Sequence, residues 1–575
     1  MTAEGLETEK KYDVDAGTSL PDLSAIPGVG RVGDLHQAEL EAVYFDTRDL
    51  LLASRRITLR RRSGGADAGW HVKLPPDAGA ASGSGSASEE GPGPRREIHA
   101  PLGQADVVPG KLLAHLHAYL RGANPVPVAR LDTRRTTHAL YGDDGAHLAD
   151  FADDSVEAEL LQGEGGKPAG QKQQWREWEL ELVHGEPEVF KSAASVLAAA
   201  GARPSAHESK LRRALGAAPT AQAKETEGSV ETEGTGETDG TVESEGTGES
   251  EGTAATKDKG KQPGGRKPGK QWPASAVVSA YLAGQISEIL ANDARVRLEE
   301  PDAVHTMRSA TRRVRSALAV YRKLYGRGAV GRLRDELKWL GRILGTPRDA
   351  EVMLDRLRTN TGKLPTGEGA DEVRQRIERE LGIRLDAGYR KTQEVLLTDR
   401  YFRLLDDLED FRDHPPVLPA AGAPARKTAR KLVRKAAKRL RRAHKAAAQA
   451  KSGAGDRPGM ELKEATAHET ALHQVRKDAK RLRHAAETVD ALFGKRAAKL
   501  AKAAHKQQKI LGDHHDSVMA RIFLGKLAGG PDLPEPVAEA YGSLLKREQK
   551  STAKAEAKYR KAHRKSRKAI QRGVG

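Results

Sequence analysis

The chain has 575 residues and a formal net charge of +17, but residues 271–575 carry +28 and residues 1–270 carry −11. This split predicts an anionic partner for the C-terminal half. The absence of cysteine excludes a disulfide scaffold, thiolate catalysis and a cysteine zinc site. The N-terminus MTAEGLETEKKYDV lacks an apolar signal-peptide core, and no apolar run approaches the roughly 20 residues that span a bilayer. We therefore expect a cytoplasmic protein of two or more domains that does not bind a membrane.

Residues 4–215 alternate polar and apolar side chains in short segments, as half-buried β-strands do. Examples are LETEKKYDV, AVYFDTRDL, RITLRRR, WHVKLP and WREWELELV. Helical patterns stand out near 110–121 and 187–200, and the Gly/Ser-rich stretch 78–94 predicts a flexible hairpin loop. The segment therefore predicts an antiparallel β domain with a few helices.

Residues 216–271 have the composition of a linker. From Glu225 to Glu251 there are ten acidic residues and no Lys or Arg. Because glycine and repelling like charges leave nothing to bury, we predict a disordered segment. Two roles are open for it, a plain tether and an acidic decoy that competes with the anionic ligand of the basic half.

Residues 272–570 are rich in Ala, Leu, Lys, Arg and Glu at helical spacing, which predicts an all-α helical bundle. Two stretches share a histidine followed by basic residues at offsets of 3, 7, 8 and 10, and a third, weaker copy begins with a lysine. Offsets of 0, 3, 7 and 10 place four of these groups along one helical face. The copies are His305, Arg308, Arg312, Arg313 and Arg315; His473, Arg476, Lys480, Arg481 and Arg483; and Lys431, Arg434, Lys438, Arg439 and Arg441.

A second element is repeated downstream of the first two copies. An LG dipeptide follows each histidine, with its glycine 40 residues away in one copy and 39 in the other, and a basic residue and an aspartate come next. The duplication predicts two similar units, each with a basic helix and then a helix that ends in an LG turn. These elements are Leu344, Gly345, Arg348 and Asp349 in one copy and Leu511, Gly512, His515 and Asp516 in the other.

The basic helices predict a bound polyanion. Solvated helix faces normally mix both signs of charge, whereas the stretch 426–445 contains no acidic residue. No helix-turn-helix, zinc-finger or RNP signature is visible, and aromatic residues make up 4% of the chain, so base stacking is poorly supplied. DNA and RNA stay open as ligands, and a bare phosphate chain fits equally well.

Charged side chains also alternate along the N-terminal strands, as in Glu7, Glu9 and Lys11. Several ionised groups on one strand face cannot be buried in an apolar core, so the face is solvated or the sheet encloses a polar cavity. In such a cavity Arg and Lys would bind phosphate oxygens. Carboxylates would bind Mg²⁺ or Mn²⁺, which positions water for attack on a phosphoryl group. The other residues of this kind are Arg60, Arg62, Lys73, Arg134, Arg135, Glu177, Glu179 and Glu181.

The pattern HxxRxxxRRxR followed by LGxxRD resembles the CHAD domain over about residues 275–570. The resemblance implies a duplicated helical bundle with pseudo-twofold symmetry that binds inorganic polyphosphate. It places the first two copies of the repeat, together with Lys338 and Arg348, against the phosphate chain, while Asp349 and Asp516 would orient basic groups through ion pairs. We extend this prediction to Lys431, Arg434, Lys438 and Arg439 of the third copy.

The N-terminal segment shows, in order, ExExK, YFDT, LRRR, VKLP, RRT, a DD pair, ExExE and Ser209-Lys210. This series resembles the CYTH family, also called triphosphate tunnel metalloenzymes, over about residues 4–215. The resemblance implies a closed antiparallel tunnel of eight strands that hydrolyses or cyclises triphosphates with a divalent metal, although some members only bind. By this resemblance Lys11, Arg60, Arg62, Lys73, Arg134 and Lys210 would hold phosphates. Glu7, Glu9, Glu177, Glu179 and Asp153 would coordinate metal, and Lys11 could instead orient the attacking water.

The sequence therefore predicts a polyphosphate-binding protein with metal-dependent hydrolysis of tripolyphosphate or a nucleoside triphosphate in its tunnel, where Glu7, Glu9 and Lys11 are the candidate catalytic residues. Two other functions stay open. One is a non-enzymatic adaptor at polyphosphate granules, and the other is an RNA- or DNA-binding protein.

Overall fold

A computed structural model describes residues 3–75, 95–162, 169–216, 272–452, 461–530 and 533–574. The hairpin loop predicted at 78–94 and the linker beyond residue 216 lie outside the described residues. The chain divides into two compact units. The first holds the described residues of Met1–Leu102 and Pro125–Arg266, and the second holds those of Gly103–Asn124 and Lys267–Gly575.

The first unit is built on one antiparallel sheet of ten strands, which confirms the predicted β domain. The strands are paired in the order β1-β6-β5-β4-β3-β7-β8-β9-β2-β10. Their bounds are β1 Ala3–Glu7, β2 Glu9–Val14, β3 Arg31–Asp46, β4 Thr58–Ser63, β5 Gly69–Leu74, β6 Arg95–Ala100, β7 Val126–Tyr141, β8 His147–Leu160, β9 Lys172–Leu182 and β10 Arg203–Pro204.

The strand number differs from the predicted eight for a local reason. β1 and β2 are consecutive segments of one extended stretch, separated by Thr8, and they pair with different neighbours. β1 pairs with β6 and β2 pairs with β9, so the N-terminal stretch supplies the strand at one end of the sheet and the strand next to its other end. β10 adds a two-residue pairing with β2.

Alternation along β9 separates an apolar face from a charged face. Trp178 and Leu180 are buried against Phe190 of helix α2 (Glu188–Ala199). Glu177 and Glu179 occupy the intervening positions and therefore point to the opposite face of the sheet. The apolar core thus lies on one side of this strand, and the concave side is left to ionised groups.

The second unit is all α, as predicted. Its helices are α1 Gly110–Leu120, α4 Ala274–Arg297, α5 Ala303–Tyr321, α6 Arg327–Ile343, α7 Gly345–Thr361, α8 Glu368–Leu396, α9 Asp399–Asp413, α10 Ala425–Ser452, α11 Glu461–Glu487, α12 Asp490–Phe493, α13 Lys495–Ala528 and α14 Glu535–Arg572, while α3 (Lys210–Leu215) belongs to the first unit. The segment of α1 joins this unit because Arg121 donates hydrogen bonds to Asp406 and Glu409 of α9.

Among the described helices, α4 alone is long and apolar enough to span a membrane by length and composition. Its Leu282, Ile286 and Ile289 have no exposed surface and lie in the main core of the helical unit. A helix whose apolar face is covered in this way is a core helix.

The two LG elements differ in structure, and the prediction of a turn is wrong for the second. Leu344 lies between α6 and α7, whereas Leu511 and Gly512 lie inside the continuous helix α13. Pro347 follows the first element, and its lack of an N–H group favours a break in the helix. The equivalent position in α13 is His514, which has an N–H and continues the helix.

Candidate functional site

A cavity of about 830 Å³, which includes its open mouth, lies on the concave side of the sheet. Its wall is polar, and carboxylates and cations from seven strands and from the start of α3 converge on it. The ionisable side chains that line it are Glu7, Glu9, Lys11, Arg60, Arg62, Asp67, Lys73, Arg95, Glu97, Arg135, Glu179, Glu181 and Lys210.

One wall is a cluster of carboxylates on β1, β2 and β9. Glu9 is directly paired with Glu181, and Lys11 is paired with Glu179. Burial alone would raise the pKa of Glu9, but the charges of Lys11 and Lys73 lower it to about 2. Burial and the neighbouring charges of Glu7 and Glu9 raise the pKa of Glu181 to about 7. Glu181 is therefore only partly ionised at neutral pH, whereas Glu9 is fully ionised.

A second group of carboxylates surrounds Lys210. Oxygens of Asp154, Glu177 and Glu179 lie within 4.8 Å of one another, close enough to share a metal ion. The Lys210 ammonium lies 2.8 Å from Asp154, 2.8 Å from Glu177 and 2.6 Å from Glu179. Ser209 caps α3 through its side chain and so fixes the start of the helix that carries this lysine. Arg135 also pairs with Asp154 and Glu179, and Lys11 with Glu179, so each of the three carboxylates is already paired with a cation of the protein.

The opposite wall is basic. Arg60 and Arg62 alternate on β4, and Lys73 on β5 lies 2.6 Å from Oε1 of Glu7. Burial, and then the charges of Arg60 and Arg135, lower the pKa of Arg62 to about 9. Arg135 donates to Asp154 and Glu179. This wall offers guanidinium and ammonium donors in a partly desolvated space, which suits phosphate oxygens.

Glu7, Glu9 and Glu181 are another set of carboxylates in the cavity that could hold a divalent cation. Like charges directly opposite each other on paired strands destabilise a sheet, and Glu9 and Glu181 are such a pair. Hard oxygen donors of this kind are the ligands that Mg²⁺ and Mn²⁺ prefer. Glu7 pairs with Lys73 and Glu9 with Lys11, whereas Glu181 forms no salt bridge within the described part of the chain.

In the helical unit, basic residues of α5 and α11 face one another and form a cluster that we call the basic cradle. Its members are Arg308, Arg312 and Arg315 of α5 and Arg476 and Lys480 of α11. Burial, and then the charges of Arg312 and Arg476, lower the pKa of Lys480 to about 6. Burial, Arg308 and Arg476 likewise lower the pKa of Arg312 to about 10. The cradle is thus a site where positive charge is concentrated.

The two LG elements support equivalent members of the cradle. A Cβ atom on Gly345 would lie 3.4 Å from the Arg308 guanidinium, and one on Gly512 would lie 3.8 Å from Nε of Arg476. Asp349 forms a salt bridge with Arg308 at 3.0 Å. Each glycine therefore packs against the first arginine of its own copy, Arg308 or Arg476.

Comparison with known proteins agrees with both halves of this geometry. The CYTH domain family matches residues 6–215, and the CHAD domain family matches residues 280–525. Two uncharacterised proteins of Mycobacterium tuberculosis, from strains CDC 1551 and H37Rv, are each 34% identical over 555 residues, which is 95% of this chain and 93% of theirs. The chain belongs to the proteins that join a CYTH domain to a CHAD domain.

Solved structures resemble parts of this CYTH–CHAD protein. PptA from Streptomyces chartreusis is 21% identical with a TM-score of 0.43, and it covers 51% of this chain and 99% of its own. The CHAD domain from the plant Ricinus communis is 26% identical with a TM-score of 0.39, and it covers 51% of this chain and 93% of its own.

The CYTH cavity brings together most of the site residues predicted from the sequence. Glu177 does not line the cavity and is buried beside Lys210, where it also accepts a hydrogen bond from Trp175. The predicted residues that line the cavity are Glu7, Glu9, Lys11, Arg60, Arg62, Lys73, Glu179 and Lys210.

The placement predicted for Arg134 and Asp153 is wrong by one position in each strand. The Arg134 side chain is 85% exposed and pairs with Glu39 on the outer face. Asp153 accepts two hydrogen bonds from Arg176, at 2.8 and 2.6 Å. Because neighbouring residues of a strand point to opposite faces, the inward positions belong to Arg135 and Asp154.

The CHAD residues predicted to bind phosphate fall into several groups. Five of them form the cradle. His473 lies outside it, and its ring is 4.9 Å from the ring of His515. Arg348 pairs with Glu351 at 2.8 Å. Arg313 donates to Gln285 and Arg483 donates to Glu487. Arg439 and Arg481 both pair with Asp478. His305, Lys338, Lys431, Arg434 and Lys438 are exposed.

Five ionisable cavity residues lay outside the site residues predicted from the sequence. They are Asp67, Arg95, Glu97, Arg135 and Glu181. Glu97 is paired with Lys73 across β5 and β6. The sequence pattern could have identified Glu181 as a cavity residue, because it continues the alternation of Glu177 and Glu179. The position of Glu97 depends on a pairing that follows residues 76–94, and the sequence does not specify where that segment returns.

Proposed function

We propose that this protein binds inorganic polyphosphate on its CHAD domain and hydrolyses short phosphate chains, tripolyphosphate or a nucleoside triphosphate, in its CYTH cavity with Mg²⁺ or Mn²⁺. The observation that carries the proposal is the basic cradle, where Lys480 lies among four arginines and has a pKa of about 6. Clustered like charges destabilise a compact fold unless an anion binds. A chain of phosphates supplies evenly spaced negative charge along the cradle.

In the CYTH cavity, one wall would bind the metal and the other would bind the phosphate chain. Glu7, Glu9 and Glu181 would hold the divalent metal, which when bound polarises a phosphoryl group and lowers the pKa of water. Arg60, Arg62 and Arg135 would bind the phosphate oxygens and hold the chain in line.

Lys11 has two possible tasks in this cavity. Its ammonium contacts Glu179 and lies 3.1 Å from Oε2 of Glu9, so it is held between the two carboxylate groups. It would orient the attacking water or bind a phosphate oxygen, as the family resemblance implies.

Binding of long-chain polyphosphate tests the proposal for the CHAD domain. The full chain should bind polyphosphate at moderate salt, and Arg312→Gln/Lys480→Gln should weaken binding at least tenfold. The control Lys554→Gln/Lys558→Gln removes two exposed cations of α14 and should leave affinity within twofold. No affinity of the wild type would refute the proposal. Equal displacement by DNA or RNA at the same phosphate concentration would favour nucleic acid as the ligand.

A non-enzymatic adaptor at polyphosphate granules is the second candidate function, and one observation favours it. Asp154, Glu177 and Glu179 already pair with Lys210, and Arg135 and Lys11 pair with them as well, so these carboxylates do not need a metal. A cavity of this kind can bind anions without hydrolysing them. Phosphate release from tripolyphosphate with Mg²⁺ or Mn²⁺ distinguishes the two functions, because an adaptor releases none.

A further inference from the structure

A second cavity lies between α10 and the C-terminal part of α14 in the CHAD domain. It encloses about 710 Å³, including its open mouth. Arg441 and Lys445 of α10 and Arg567 of α14 line it, and none of the residues described in its wall is acidic. None of these residues belongs to the basic cradle of α5 and α11. The cavity therefore combines three cations without a carboxylate of its own.

Two histidines form the inner wall of this cavity. His444 is 7% exposed, and its ring lies 3.9 Å from the ring of His563. Nδ1 of His444 lies 2.7 Å from the Tyr559 hydroxyl. Within the described part of the chain, Nε2 of His444 and Nδ1 of His563 are buried and make no hydrogen bond. A buried polar atom without a partner costs about 1–3 kcal/mol, so a ligand that bonds to it would stabilise the site.

The hydrogen bond to Tyr559 bears on which nitrogen of the His444 ring carries the proton. Burial raises the pKa of Tyr559, so its hydroxyl stays protonated, and the partner that the structure gives it is Nδ1 of His444. Burial and the charge of His563 lower the pKa of His444 to about 3, so the ring is neutral at pH 7. The Tyr559 hydroxyl can donate to Nδ1, and in that tautomer the neutral ring carries its proton on Nε2. In that tautomer the inner wall of the cavity offers a hydrogen-bond donor.

We propose that this cavity binds a phosphate group, either free orthophosphate or the end of a phosphate chain, as a site separate from the basic cradle. Arg441, Lys445 and Arg567 supply the charge at the mouth, and Nε2–H of His444 donates to an oxygen that enters deepest. Charge-assisted bonds from guanidinium groups suit phosphate oxygens. The inference does not depend on polyphosphate binding in the cradle or on hydrolysis in the CYTH cavity.

Hydrogen exchange of the full chain with and without inorganic phosphate tests this inference at the site itself. Phosphate should slow exchange of amides in 441–449 and 559–571. Arg441→Gln/Arg567→Gln should abolish that protection and weaken the local affinity at least tenfold. The control Arg442→Gln/Arg564→Gln removes one exposed arginine from each of the same two helices outside the cavity, and it should retain the protection. All four arginines are exposed, so both variants are expected to fold.

A second arm with long-chain polyphosphate in place of orthophosphate identifies the source of the phosphate group. Protection by both ligands indicates recognition of one phosphate group. Protection by the polymer alone indicates recognition of a chain end. If neither ligand protects these helices, or if the test and control variants behave alike, the cavity is not a phosphate site.

Discussion

Glu9 of β2 and Glu181 of β9 are directly opposite each other on paired strands, and both line the cavity of the CYTH domain. Lys11 and Lys73 keep Glu9 ionised, whereas burial and the charges of Glu7 and Glu9 raise the pKa of Glu181 to about 7. Two carboxylates in this arrangement repel each other unless a cation lies between them. We therefore interpret the pair as half of a divalent-metal site.

Replacing Glu181 should weaken metal binding. Glu181→Gln keeps the shape of the side chain but removes one oxygen ligand and its charge, and we expect Mn²⁺ affinity to fall by about 10- to 100-fold. Calorimetry of Mn²⁺ binding to the full chain measures this. Glu157→Gln is the matched control, because Glu157 lies on β8 and pairs at the surface with Lys172. Equal affinity in wild type and Glu181→Gln would remove Glu181 from the metal site.

The two neighbouring arginines of β7 should differ in their effect on activity. Arg135 lines the cavity, whereas Arg134 lies on the outer face. Arg135→Gln should raise KM for tripolyphosphate by about tenfold or more, since a charge-assisted hydrogen bond contributes about 1.5–3 kcal/mol. Arg134→Gln should change KM by less than twofold. The reverse order would show that the register of β7 is wrong.

Polyphosphate affinity should fall as pH rises from 7 to 9. The pKa of Lys480 in the free protein is about 6, below its ordinary 10.5, so the amine is mostly neutral in this range. A bound polyanion favours the charged form and raises the pKa, so binding takes up a proton. The affinity then falls by up to about tenfold per pH unit.

Lys480→Arg separates this proton uptake from the charge itself. Arginine keeps its proton throughout this range, so the variant should bind polyphosphate with a flatter pH profile than the wild type. Isothermal titration at pH 7, 8 and 9 gives both profiles. Parallel profiles for the two proteins would show that Lys480 does not take up the proton.

Two glycines of α8 should respond oppositely to alanine. A Cβ on Gly388 would lie 2.8 Å from the backbone nitrogen of Pro347, whereas one on Gly382 meets nothing within 4 Å. Gly388→Ala should lower the free energy of unfolding by about 1–3 kcal/mol, and Gly382→Ala should raise it by up to about 1 kcal/mol. Guanidinium unfolding followed by helical circular dichroism measures both. A neutral Gly388→Ala would mean that α7 and α8 can separate without cost.

Much of the fold follows from local patterns in the sequence. Trp178 and Leu180 alternate with Glu177 and Glu179, which predicts a strand with one charged face, and the histidine repeats predict two related basic helices. These patterns repeat within one element, so they need no knowledge of its neighbours.

The features of the fold and the site that could not be predicted from the sequence depend on how strands pair with one another. In DTRRTT every residue near Arg134 and Arg135 is polar, so alternation does not show which arginine faces the cavity. The pairing of Arg135 with Asp154 decides it. The split of the N-terminal stretch at Thr8 likewise depends on its having different partners in β6 and β9.

The release of orthophosphate from tripolyphosphate tests the central claim most directly. The wild-type chain should release phosphate with Mg²⁺ or Mn²⁺ and stop when the metal is chelated. Glu7→Ala/Glu9→Ala should release none, while its unchanged affinity for long-chain polyphosphate shows that the CHAD domain is intact. Equal rates for the two proteins, or no release by the wild type with either metal, would contradict hydrolysis in the CYTH cavity.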